Sequence, residues 1–515
     1  MSLSRQTPHF GLFAIGLGLA SIALAFGERL VAAAALIVSL MPLGAALFPP
    51  IERPGGKNVV RFLGLSWTME EFLTHWIVVG RSGSGKTAGV IRTMLIQLMQ
   101  SVPDFGCIAI DEKANFHRVL AGICTAHGKP DKLIVLRPRG RGREANSPSH
   151  TMNLIGDRSI SWETYAQLVI DTAVACGQET NNAFFKNQGR KTIAAIFATL
   201  EAIDMVPTLA DAYDFIADDG TYNAVVERLE ERENESDTCE QLLAHWRNFD
   251  RKAGDEKSGI KSTTELYLYP YSADGLRELF GDPNPTLDLS AVDQGKILCP
   301  SIPQSYLTQR RYVIAWFKFA GYYHLLRRFD EFDEQGRASL TPIVLLADEG
   351  QNSILAAEEG LADHNTLDKI REARGTLILA MQSYSSMLPA LKGRRDLAET
   401  IVTNLNNHVI GAIRDETGRE MAANIFGKEW QTEKSHSFGG KDSVLMVKRE
   451  LRHIFHTGIF TRLPQFKCIV FHVAGRWAEG YIPPLSDDGK QLSMRYRMRS
   501  LRALSWALFK DSSGN

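Results

Sequence analysis

Short runs of β-branched and aliphatic residues punctuate the chain. They predict buried strands over Trp76–Val79, Phe105–Ile110, Leu133–Leu136, Lys296–Cys299, Ile343–Leu346, Thr376–Ala380, His408–Ile410 and Cys468–Phe471. Between them the apolar period lengthens. Ala88–Gln100 sets Val90, Ile91, Met94, Leu95 and Leu98 at helical spacing, and Tyr312–Phe329 and Asp363–Arg374 also read as helices. Strands alternating with helices predict an α/β fold with a mainly parallel, doubly wound sheet. From about Asp157 to Gly259 the pattern changes. Leu168, Ile170, Ala173, Val174, Ile193, Ile196, Phe197 and Leu200 keep helical periods there without a strand run, which predicts an inserted all-α domain. Its charged stretch Glu227–Glu235 reads as a solvated helix face. Glu433–Asp442, rich in Ser, Gly and His, reads as a mobile loop, and Met494–Lys510 as a short amphipathic helix.

The first fifty residues are different in kind. Residues 10–27 and 30–48 carry no charge, and each is long enough to cross a hydrocarbon core of roughly 30 Å. Only Glu28 and Arg29 separate them, so the pair reads as a transmembrane helical hairpin, the other reading being a hairpin buried in a soluble core. Arg53, Lys57 and Arg61 follow the second span, whereas the turn between spans has no net charge. Both termini are therefore expected in the cytoplasm. The net charge of −1 excludes a global basic field that draws in nucleic acid, so any such contact needs local clusters or a channel between subunits. The 6 cysteines form no C-x-x-C pair and read as reduced structural thiols.

Candidate chemistry begins at Gly80-Arg81-Ser82-Gly83-Ser84-Gly85-Lys86-Thr87, which fits G-x-x-x-x-G-K-[ST] between a strand and a helix. The glycines let successive N–H groups converge on phosphates at the positive end of the helix. Lys86 would reach the terminal phosphates, and the Thr87 hydroxyl would help hold Mg²⁺. Hydrolysis further needs a metal-organising carboxylate and a base. Ile343–Ala347 runs into Asp348-Glu349, where Asp348 would hold the metal through its water shell and Glu349 would polarise the attacking water. Asp111-Glu112-Lys113 also ends a strand and is the rival pair. Gln382, following strand 376–380, is the candidate γ-phosphate sensor, and Arg371 or Arg374 a candidate arginine finger toward a neighbour's nucleotide. Arg137, Arg139, Arg141 and Arg143, and separately Lys392, Arg394 and Arg395, form basic clusters suited to phosphate contact.

Taken in order, these elements resemble the type IV coupling proteins, membrane-anchored ATPases related to the FtsK/HerA translocases. The N-terminal hairpin, GRSGSGKT at 80–87, the strand ending at Asp111-Glu112-Lys113 and Thr151–Ile155 carry the resemblance. So do Glu256–Thr263, Leu346–Glu349, Arg371–Thr376, Ala380–Ser383, Asn404 and Asn407. Gly350 stands where the family often has Phe, and the external loop of the hairpin is short. The resemblance implies a RecA-like P-loop NTPase domain using ATP and Mg²⁺, with Asp348-Glu349 as the Walker B pair, and a homo-hexameric ring in the bacterial inner membrane. It also implies DNA, a relaxase or relaxosome, and secretion-channel proteins as partners. The expected organisation is a transmembrane hairpin at 1–50, nucleotide-binding parts at 51–156 and 263–485, the all-α domain at 157–262 and a tail at 486–515. Two rival readings are a DNA motor of defence or chromosome segregation and a docking receptor that does not hydrolyse nucleotide.

Overall fold

The computed structural model describes residues 57–139, 150–178, 182–356, 360–439 and 442–489. The expected membrane hairpin, Arg141 and Arg143 of the basic loop, and the helix expected at 494–510 lie outside the described residues. Among the described residues no helix is long and apolar enough to cross a membrane.

β1 (Asn58–Phe62) and β2 (Leu65–Thr68) form an antiparallel hairpin. The chain then lays down β3 (Trp76–Val79), β4 (Gly106–Asp111), β5 (Leu133–Leu136), β6 (Ile297–Pro300) and β7 (Ile343–Asp348). β8 (Gly375–Met381) and β9 (Asn407–Ile410) come next, then the hairpin of β10 (Lys428–Gly439) and β11 (Asp442–His453). β12 (Lys467–Phe471) and β13 (Trp477–Tyr481) are the last. One 9-stranded sheet runs in the order β13-β12-β9-β3-β8-β7-β4-β6-β5. It is parallel from β9 to β5, and β12 and β13 extend it antiparallel beyond β9.

Both faces of this sheet are covered, which is why its strands are continuously apolar. Ile77, Val79, Ile108 and Ile110 point to the face packed by Trp316 and Phe317 of the helix Leu307–Glu331. Trp76, Val78, Cys107 and Ala109 point to the other, against the helices Arg92–Ser101 and Phe116–Ala126. Each large aliphatic side chain buried this way contributes about 1.5–3 kcal/mol. Because the strands run parallel, the loops after β3, β4, β7 and β8 all leave the same edge. That edge is where an open α/β sheet binds ligands.

Between β5 and β6 the described residues form a run of helices from Trp162–Ala175 through Asp274–Phe280, flanked by a single parallel bridge, Met152↔Leu287. Ser161, Asn182, Thr208, Asp218 and Ser236 each start one of these helices by accepting a first-turn N–H, a contact typically contributing about 1 kcal/mol. Glu433–Asp442 departs from its expected loop. Its described residues, 433–439 and 442, are the distal part of the β10–β11 hairpin, paired without a break from Lys428↔His453 to Gly439↔Asp442. Its polar composition hides a two-sided ribbon. The register puts Trp430, Leu451 and Val447 on one face and Glu429, Glu433, Glu450 and Arg452 on the other.

Candidate nucleotide site

The glycine loop leaves β3 and curls over the sheet edge. Gly80 N–H donates to Met381 O at 3.1 Å and Arg81 N–H to Ala412 O at 2.7 Å, so the loop's first residues are tied to the ends of β8 and β9. Ser82 and Gly83 form its tip, and Ser84 N–H closes it by donating to Arg81 O. Gly85 is required twice over. Its φ is +106°, and a Cβ there would lie 2.3 Å from the Phe466 ring. Phe466 itself holds φ 67° and donates its N–H to Ser84 O at 2.8 Å, fixing the loop from below. A π-helical turn, Lys86–Ile91, comes before the α-helix Arg92–Ser101. Such turns recur at functional sites.

Lys86 is buried, and its Nζ donates to Gly80 O at 2.6 Å. Burial lowers its pKa, opposed by the charges of Glu349 and Asp348. Thr87 Oγ1 lies 2.9 and 3.1 Å from the two carboxylate oxygens of Asp348, joining positions 261 residues apart. Burial raises the Asp348 pKa and neighbouring Glu349 adds to this, against the Thr87 hydrogen bond.

Glu349, at φ 59°, lies near enough to Lys86 for their charges to interact. Lys113 Nζ donates to its Oε1 at 2.5 Å, while Gln351 Nε2 at 2.9 Å and Gln382 Nε2 at 3.4 Å reach Oε2. Burial alone would raise this carboxyl. The donors Gln351 and Lys113 and the charge of Lys86 instead hold it at about 2.

The rival acids sit one strand away, with Asp111 directly opposite Asp348 in the β4–β7 register. Asp111 is fully engaged. Asn115 N–H, His117 N–H and Ser301 Oγ donate to it at 3.0, 3.2 and 2.8 Å, and His117 Nδ1 lies at 3.1 Å. Glu112 is buried 3.8 Å from Arg310 rather than toward Lys86.

Not every candidate gathers here. Arg374 precedes β8 at the opposite end from Gln382, its Nη1 donating to Ala338 O at 2.8 Å. Arg371 lines a separate cleft with His75, Asp368 and Asn404. Within one chain neither reaches the loop. Arg137, expected on a phosphate-contacting surface, is buried and donates to Ser301 O, Ser301 Oγ and Ala114 O. Arg139 pairs with Glu278, and Arg394 with Asp396. Sequence reasoning missed the contacts of Lys113 and Phe466. The first depends on the pairing of β4 with β7, and nothing local marks the second.

Residues 54–282 match the family model described as type IV secretory system conjugative DNA transfer. Residues 342–464 match the model described as the TraM recognition site of TraD and TraG. No curated protein sequence matches the chain. Among solved structures it is similar to the bacterial conjugative coupling protein TrwBdeltaN70 in an unbound monoclinic form. The TM-score is 0.61 and the identity 16%, over 87% of this chain and 93% of that one. It is similar to the plasmid coupling protein TrwB in complex with ADP and Mg²⁺ (0.58; 16%; 85% and 91%) and with a non-hydrolysable ATP analogue (0.58; 15%; 87% and 94%). Those likenesses show the fold, a mainly parallel α/β sheet with helices on both faces. With the two models matched in succession along one sequence, the chain belongs to the type IV coupling protein family.

Proposed function

We propose that this protein is an ATPase that couples DNA or DNA–protein substrates to a type IV secretion or conjugation channel and drives their translocation by ATP hydrolysis. The observation that carries the reading is the meeting of Thr87 and Asp348, which brings the phosphate loop and the β7 acids to one point.

Gly80–Thr87 supplies backbone N–H groups for the phosphates, and Lys86 exchanges Gly80 O for phosphate oxygens. Thr87 and Asp348 would hold Mg²⁺, which when bound would offset the charge of the transferring phosphoryl group. Glu349 orients and polarises the water, and Gln382, already against Glu349, reports the γ-phosphate. Catalysis of this kind is mainly positioning and electrostatic stabilisation, so small displacements of Glu349 carry large rate effects. Arg374, remote from its own loop, acts on a neighbour's nucleotide in a homo-hexamer. The uncharged spans at 10–27 and 30–48 anchor the chain in the bacterial inner membrane. The helical insert, 157–262, faces the cytoplasm and, with the segment matching a TraM recognition site, meets the relaxase or relaxosome.

The test is ATP turnover by the full chain in nanodiscs, with and without single- and double-stranded DNA. DNA-stimulated turnover that Lys86→Ala abolishes is expected. Turnover that survives Lys86→Ala would contradict the assignment, and bound ATP that is never hydrolysed would reduce the protein to a receptor.

A further inference from the structure

Lys113 takes no part in the hydrolysis proposed for Lys86, Thr87, Asp348 and Glu349, yet its ammonium sits on the group assigned as base. The placement comes from register. β4 and β7 run parallel with Asp111 opposite Asp348, so the two chains leave the sheet side by side and Lys113 emerges next to Glu349. Neither acid on its own strand end competes for it, because Asp111 is saturated by Asn115, His117 and Ser301, and Glu112 is buried toward Arg310. The Glu349 side chain is 9% exposed and Lys113 is 54% exposed, so the lysine is the solvent-facing member of the pair. With Gln351 and Gln382 on Oε2 and Lys113 on Oε1, both oxygens of Glu349 are occupied. A carboxylate in that state has little left with which to align water. Lys113 also lies near enough to Lys86 for their charges to interact.

On the reading that Lys86 and Glu349 flank the γ-phosphate, we infer that Lys113 is a positioning switch. It clamps Glu349 while no triphosphate is present and moves to the γ-phosphate when one binds, leaving Oε1 to the attacking water. A diphosphate offers no partner at that place, so the clamp persists. Lys113 thereby discriminates ATP from ADP and links occupancy to the readiness of the base. A charge-assisted hydrogen bond to phosphate is strong enough for such selection.

The test is equilibrium binding of ADP and of a non-hydrolysable ATP analogue, each with Mg²⁺, to the full chain. Lys113→Met is expected to weaken the triphosphate analogue by about tenfold or more and leave ADP unchanged. Glu349→Gln, which removes the competing partner, should tighten the analogue several-fold, and that gain should vanish in the Lys113→Met background. Equal losses for both nucleotides would mark Lys113 as merely structural. A Glu349→Gln gain that persists without Lys113 would overturn the switch, and this cycle remains decisive where Lys113→Met lowers stability. Failure of the underlying reading appears separately, as nucleotide binding that survives Lys86→Ala.

Discussion

The ends of β4 and β7 look alike in sequence and behave oppositely in the fold. Each is a buried apolar run closing on two acids, and the first acids of the two pairs face each other across one register position. The segments downstream of the two pairs set them apart. After Asp111 the chain turns into the helix Phe116–Ala126, whose opening N–H groups, with Ser301, occupy that carboxylate and hold its pKa down against burial. After Asp348 comes the tight turn Gly350–Asn352, which supplies Asp348 no comparable set of donors. Thr87 is its hydrogen-bond partner, and burial holds its pKa up. The second acids diverge as well. Burial raises Glu112, whereas donors and lysine charges hold Glu349 at about 2. Of the two first acids, the fold fills the lone pairs of Asp111 and leaves Asp348 the more open to a metal.

The largest test of this contrast exchanges the second acids. Glu349→Gln should lower ATP turnover by about 10²–10⁴-fold with binding retained, while Glu112→Gln leaves it within a few-fold. Steady-state ATPase assays with saturating DNA compare them.

The first acids should differ in the sign of their effect on stability. Asp111 titrates below its unfolded value, so its contribution is present at neutral pH and is lost as pH falls through its folded pKa. Asp111→Asn should therefore destabilise the fold, by about 2 kcal/mol once its buried donors lose their charged acceptor. Asp348 titrates above its unfolded value. The stability it adds belongs to low pH and is lost as pH rises through its folded pKa, so Asp348→Asn should raise the midpoint of thermal unfolding at neutral pH without nucleotide.

The last comparison lies in the acid limb of stability. His75 and His408 are buried and held at about 4 and about 3, so the unfolded chain takes up their protons first. Stability should decline as pH falls from 6.5 toward those values, equally in wild type and Asp111→Asn. The two curves should converge only below the carboxylate range, because only there does wild type lose the Asp111 contribution. Unfolding midpoints across pH measure this.

Much of the sheet was legible because its strands are buried on both faces, so that β3, β7 and β8 appear as unbroken apolar runs. β13 has no such run. Glu479 interrupts Trp477 and Tyr481 on one face and only Ala478 and Gly480 lie on the other, and the strand joins the sheet by pairing with β12. The β10–β11 ribbon was hidden because its alternation is interrupted by Ser, Gly and His. In the site, the phosphate loop and Asp348-Glu349 were readable because strand-then-motif is a local signal. Lys113 on Glu349 was not, since it depends on strand order across 236 residues. The inward turn of Arg137 was also unreadable. Its acceptors come from Ser301 and Ala114, and a basic loop looks the same in sequence whether it faces water or the core.

The most direct test of the account is an experimental structure of the full chain with an ATP analogue and Mg²⁺. The predicted result has the metal between Thr87 and Asp348, Lys86 released from Gly80 O onto phosphate, and Asp111 still held by His117 and Ser301. A metal or phosphate lodged beside Asp111 and Glu112, or a nucleotide bound away from Lys86, would contradict it.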